Sequence, residues 1–141
     1  MNNATPITTL QYTDKADHFL QGMKLLNDDV SAYRTGVGLL AIHSAISLND
    51  AIIVGITGHR GKYENHVQAA DELDNICKLT KVMNSKGVRH LRWLLAKKNR
   101  VAYEHRRLDD DSVQMAVDLA KKFHSWAYNY FREVLRVQAN A

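Results

Sequence analysis

Arg100 and His105 stand five residues apart in Arg100-Val-Ala-Tyr-Glu-His105, and they bring together two groups that metal-free phosphoryl chemistry can use. A guanidinium is a planar fork of donors, always charged, that fits two phosphate oxygens at once. An imidazole near its ordinary pKa takes or gives a proton at neutral pH. A phosphodiester with a neighbouring 2′-hydroxyl supplies its own nucleophile. The hydroxyl attacks phosphorus, the imidazole handles a proton, and the guanidinium stabilises charge building on the phosphorane oxygens. Such a pair could cut RNA and could not cut DNA.

Spacing alone says little. Nine arginines and seven histidines in 141 residues give about 1.3 pairs of this kind by chance, and two occur, Arg100 with His105 and Arg60 with His66. Context separates them. Lys86 to Arg107 holds eight of the nineteen basic residues and one acid, Glu104, a local charge of +7 in a chain whose total is +4. Charge gathered in this way makes a cationic face, for which phosphates are natural ligands; the plain alternative is a solvated helix that keeps the protein soluble. Five residues turn a straight helix by about 140° beyond a full turn, so Arg100 must reach round or the helix must loosen after it. Lys97, Lys98 and Asn99 adjoin the pair as supporting or binding residues. Tyr103, Trp93 and Trp126 could stack on bases or serve as core or dimer contacts.

Arg60 and His66 bracket a glycine-containing loop that leads into a helix, where backbone N–H groups favour anions. His66 also reads simply as a residue making local hydrogen bonds at a helix start. His43, Ser47 and Asp50, at i, i+4 and i+7, form a polar stripe in an otherwise apolar helix. It reads as a structural hydrogen-bond network, or as a support beneath the basic helix with Asp50 orienting Arg100 or His105. The histidines and the single cysteine show no metal-ligand spacing, and Gly55-Ile-Thr-Gly-His-Arg-Gly61 lacks the Lys-Ser/Thr pair of a phosphate-binding loop. Neither a metal nor a cofactor is expected.

The elements that must position these residues are helical. The apolar periodicity is that of helices throughout, and only one proline, Pro6, interrupts the chain. Five helices are expected, over 14–28 with Thr13 as cap, 31–57 from Ser31, 65–83, 88 into the Arg100–His105 region, and 112–137. Asp109, Asp110 and Asp111 cap the last. Residues 1–12 read as a flexible segment and 13–138 as a single domain. The fold class is all-α, an up-and-down bundle of four to five helices. No signal peptide is visible. Val37 to Ile56 is apolar but carries His43, Asn49 and Asp50, so it reads as a buried helix and not a membrane span. One cysteine, Cys77, fits a reducing compartment, and a cytoplasmic location follows.

The ordered set Leu40-Ala-Ile-His-Ser-Ala-Ile-Ser-Leu-Asn-Asp50-Ala, Gly58-His-Arg60-Gly-Lys-Tyr-Glu-Asn-His66 and Lys98-Asn-Arg100-Val-Ala-Tyr103-Glu-His105 resembles the HEPN domain family over about Asp14 to Tyr130. This family comprises helical domains of prokaryotic toxin–antitoxin, defence and RNA-processing systems. The resemblance implies a bundle that commonly forms a homodimer. It places Arg100 and His105 on the family's Arg-x4–6-His motif, which lies at the dimer interface in its metal-independent endoribonucleases. It further implies RNA as ligand and a possible cognate antitoxin or regulatory protein. Val101 stands where the ribonuclease form usually has a polar residue, and Arg107 where a nucleotidyltransferase-paired subgroup has Tyr. Some relatives of this kind are non-catalytic binding or dimerisation modules, and that alternative stays open.

Overall fold

Helix α2 (Val30–Thr57) is the axis of the molecule, and helices α1 (Pro6–Asn27), α3 (His66–Thr80), α4 (Lys86–Tyr103) and α5 (Asp110–Ala139) all pack against it. The computed structural model describes residues 6–59, 65–81, 84–103 and 108–139. Among them every element is helical, an all-α bundle. By length and composition α2 could cross a membrane, but here most of its apolar window is buried against the other helices. Val37, Ala41, Ile42, Ala45, Leu48, Ile52 and Ile53 are fully buried. Each large side chain among them contributes about 1.5–3 kcal/mol of burial.

The remaining helices each turn one stripe inward, as their sequence periodicity requires. From α1 come Ala16, Leu20 and Met23, with Leu26 at the edge of the core. From α5 come Val113, Ala116, Ala120, Phe123, Ala127 and Tyr130, all buried. The apolar period of α5 continues to Val134, whose side chain lies outside what is described. On α3, Ala70, Leu73 and Ile76 point inward, but Val67 does not. It is 67% exposed at the first turn, and Met83 lies outside the described residues.

Helix ends show where local chemistry departs from the sequence expectation. α1 begins at Pro6 and not at residue 14. Proline suits a first helical turn, where its missing N–H is not needed, so residues 6–12 are helix and not a loose segment. Thr13 is then inside the helix and its hydroxyl donates to the Leu10 carbonyl at 2.9 Å, a bond open to any mid-helix threonine. Ser31 does not cap α2. The cap position is Asp29, and the Ser31 hydroxyl donates to its carboxylate at 3.4 Å. α2 closes at Gly58, whose φ of 75° is left-handed and costs glycine nothing. Asn65 caps α3 by accepting from the Gln68 N–H at 3.0 Å. Asp109 caps α5 by accepting from the Ser112 N–H at 2.7 Å, while Asp110 pairs with Arg34 of α2.

Trp126 fastens α4 to α5. Its indole N–H donates to the Asn84 carbonyl at 3.2 Å, and its ring stacks with Phe123 at 5.8 Å and Tyr130 at 5.5 Å. Gly87 lies flat against that ring: a Cβ there would stand 2.2 Å from it. Beside it, Tyr130 and Thr80 share a hydrogen bond of 2.5 Å. Thr80 already donates to the Ile76 carbonyl, so Tyr130 is the donor.

Candidate nucleic-acid interface

The cations of α4 do not form one uniform face. Lys86, His90, Lys97 and Arg100 recur at i, i+4, i+11 and i+14, which puts them on a single side of the helix with Trp93 between them. Arg89 stands at the edge of the same side, whereas Arg92 points elsewhere and is paired with Asp71 of α3 at 2.8 Å. Lys98 turns toward α2.

At the C-terminal end of the stripe, Lys97 and Arg100 are half-buried. The Lys97 ammonium lies 5.3 Å from the centre of the Trp93 ring, where the π face attracts a cation. Both charges act on Asp109. Its carboxyl is held below the ordinary carboxylate range, first by the Ser112 backbone N–H, then by the Ser112 hydroxyl, and after these by Arg100 and Lys97. The end of α4 therefore lies beside the start of α5, and the α5 cap shares the field of the two cations. An arriving phosphate would meet a guanidinium and an ammonium with one carboxylate nearby.

Lys98 belongs to a second neighbourhood. His43 of α2 is half-buried, with the Phe19 ring 5.8 Å away. Its pKa is lowered, most by burial, then by Lys98 and then by Lys15. His43 thus sits between a lysine of α1 and a lysine of α4. Leu39, His43, Ile46 and Asp50, at i, i+4, i+7 and i+11, are all half-buried, and so form a strip of α2 that the other helices leave partly open. The expected polar stripe is divided by this packing: His43 and Asp50 lie on the open strip, whereas Ser47 is buried.

His105 and Arg60 lie outside the described residues, as do the side chains of Asn99, Tyr103 and His66. The backbone of His66 opens α3, directly after the Asn65 cap. The structure thus brings Arg100, Lys97 and the α5 start together, and Lys98 with His43. Among the described residues no three His, Cys, Asp or Glu side chains group as a metal site would need.

Sequence reasoning passed over His124, the most isolated polar side chain described. It is 3% exposed, and neither ring nitrogen has a well-formed hydrogen bond, the Ser44 backbone offering only a weak one. Burial drives its pKa down to about 4. Asp17 opposes that fall, Lys24 adds to it, and the nearby Ser44 main chain opposes it more weakly. It lies among α1, α2 and α5, beside the Tyr128 ring at 6.0 Å, and Tyr128 donates its hydroxyl to Asp17 at 3.0 Å. Its place four residues after Ala120, within the inward stripe of α5, was a signal available in the sequence. Its burial makes it part of the packing among these helices. Compared with known proteins, the chain matches no family model, no curated protein and no solved structure.

Proposed function

We propose that this is a HEPN-like RNA-binding protein whose α4 end holds backbone phosphates, with Arg100 and His105 as the centre of metal-independent cleavage. The supporting observation is the pairing of Arg100 and Lys97 on one half-buried side of α4, at the end nearest to His105 in sequence. In the reaction a bond forms between the 2′-oxygen and phosphorus while the bond from phosphorus to the 5′-oxygen breaks. A proton leaves the 2′-hydroxyl and one is delivered to the departing 5′-oxygen, and His105 is the group suited to that traffic. Arg100 offsets the charge that grows on the non-bridging oxygens. A second copy of the chain is the natural cover for the open strip Leu39, His43, Ile46 and Asp50, which would bring two α4 ends together.

The test is RNA incubated with the pure protein in excess chelator. Cleavage leaving 2′,3′-cyclic phosphate ends, lost in both Arg100→Ala and His105→Ala, is the expected result. Cleavage unchanged in both variants would dispose of this centre. One observation favours a purely binding role: Asp109 already draws on the field of Arg100 and Lys97. In that reading the protein binds RNA with salt-dependent affinity and leaves it intact.

A further inference from the structure

Between the start of α4 and the middle of α5 runs an open groove of about 440 Å³. Lys86 and His90 line it from α4, Lys121 and Lys122 from α5, with Trp126 and Asn84 at one wall. It is separate from the Arg100 end, since fourteen residues of helix at 1.5 Å each put Lys86 about 21 Å from Arg100 along the axis. Both nevertheless lie on the side of α4 marked by Lys86, His90, Lys97 and Arg100. A strand laid along that side would meet both.

The charges of the groove are mostly uncommitted. Lys122 is paired with Asp118 at 3.0 Å. Lys86 and Lys121 are exposed and have no ion-pair partner among the described residues. The local field is positive: the His90 pKa is lowered by burial, then by Lys122 and Arg89, against a weaker opposing effect of Asp118.

The aromatic in the wall is not free to read a base. Trp126 is 7% exposed, stacks with Phe123 and Tyr130, gives its N–H to Asn84 and has Gly87 pressed against its ring. What the groove offers a ligand is charge and hydrogen bonds, without a stacking platform.

We infer that this groove is a second phosphate subsite, which holds the sugar–phosphate backbone of the same RNA strand without regard to sequence. The inference rests on the RNA-binding reading above. A strand stacked at ~3.4 Å per nucleotide spans the 21 Å between the two ends with about six nucleotides. Short RNAs therefore engage the Arg100 end alone, and longer ones gain the groove.

The experiment is fluorescence anisotropy with labelled oligouridylates of about three and about twelve nucleotides, over a salt series. The proteins are wild type, Lys86→Gln/Lys121→Gln and Asp118→Asn, with circular dichroism confirming that each is folded. Each single-strand phosphate contact contributes about 0.7 to the slope of log affinity against log salt, which is about fivefold at 0.1 M. The double variant should lose about 25-fold on the longer RNA, with a slope smaller by about 1.4, and lose nothing on the trinucleotide. Asp118→Asn should tighten the longer RNA. If wild type binds no RNA, the proposed function and this subsite fall together. If it binds the longer RNA and the double variant matches it in affinity and slope, the subsite alone is overturned. Displacement of the RNA from wild type by polyglutamate of equal charge, as readily as by unlabelled RNA, would also overturn it, in favour of an acidic protein partner.

Discussion

His124 should make the bundle acid-sensitive, because its imidazole is buried where a charge is disfavoured. The imidazole is enclosed by α1, α2 and α5 with no well-formed hydrogen bond to either nitrogen, and burial holds its pKa near 4 against an ordinary value of 6.5. Above pH 6.5 the side chain is neutral in both folded and unfolded chains, and its contribution to stability is complete. As pH falls from 6.5 toward 4, the unfolded chain takes up a proton that the folded chain refuses, and stability drops. Below about pH 4 both states carry the proton and the loss stops growing. At about 1.4 kcal/mol per tenfold change in proton affinity, the whole window is worth about 3 kcal/mol. That is a large fraction of the roughly 5–15 kcal/mol typical of a domain.

The perturbation is His124→Leu, which fills the site with hydrocarbon and removes two buried nitrogens without partners. The assay is urea unfolding followed by far-ultraviolet circular dichroism at intervals from pH 7.5 to 4.5. His43 and His90 are shifted in the same direction and give both proteins a common slope, so the difference between the two curves isolates His124. That difference should open below pH 6.5 in favour of His124→Leu and approach about 3 kcal/mol near pH 4. Curves that stay parallel from pH 7.5 to 4.5 would show that His124 protonates freely in the fold, and the burial argument would be refuted.

Two further outcomes follow from the packing. Gly87→Ala places a methyl 2.2 Å from the Trp126 ring, and that ring is held between Phe123 and Tyr130. It should destabilise the protein by about 1–3 kcal/mol; a rise in Tm, as helix propensity alone would give, would mean that α4 and α5 are not in this contact. Asp109→Ala removes the side-chain acceptor of the Ser112 N–H and should lower Tm, whereas Asp109→Asn, an equally good cap, should restore most of it. Identical melting of the two variants would rule out the capping bond.

The five helices were legible because α3, α4 and α5 carry a clear 3.6-residue apolar period, α2 is a long apolar run, and glycine or polar clusters stand between the helices. The inward stripe of α5 was readable residue by residue, from Val113 to Tyr130. Helix beginnings were read less well. Thr13 and Ser31 have the right chemistry for caps, but the Thr13 hydroxyl bonds to a carbonyl one turn back and the Ser31 hydroxyl to the Asp29 carboxylate, and the true start of α1 is the proline seven residues before Thr13. Val67 fits the period of α3 yet is exposed, since periodicity gives the face of a residue and not whether a neighbour reaches that turn. For the candidate site, the clustering of cations on α4 was legible. Their division was not, because it depends on tertiary neighbours: Arg92 goes to Asp71, Lys98 to the side of His43, and Lys97 with Arg100 to Asp109. Lys121 and Lys122 carry no motif and gain meaning only from lying across a groove from Lys86.

The most direct test of the central claim is the salt dependence of RNA affinity in wild type and Arg100→Ala. Contact between the α4 end and backbone phosphates requires a linear fall of log affinity with log salt, and a slope smaller by about 0.7 when Arg100 is removed. Affinity that does not change with salt, or a slope identical in the two proteins, would contradict the account.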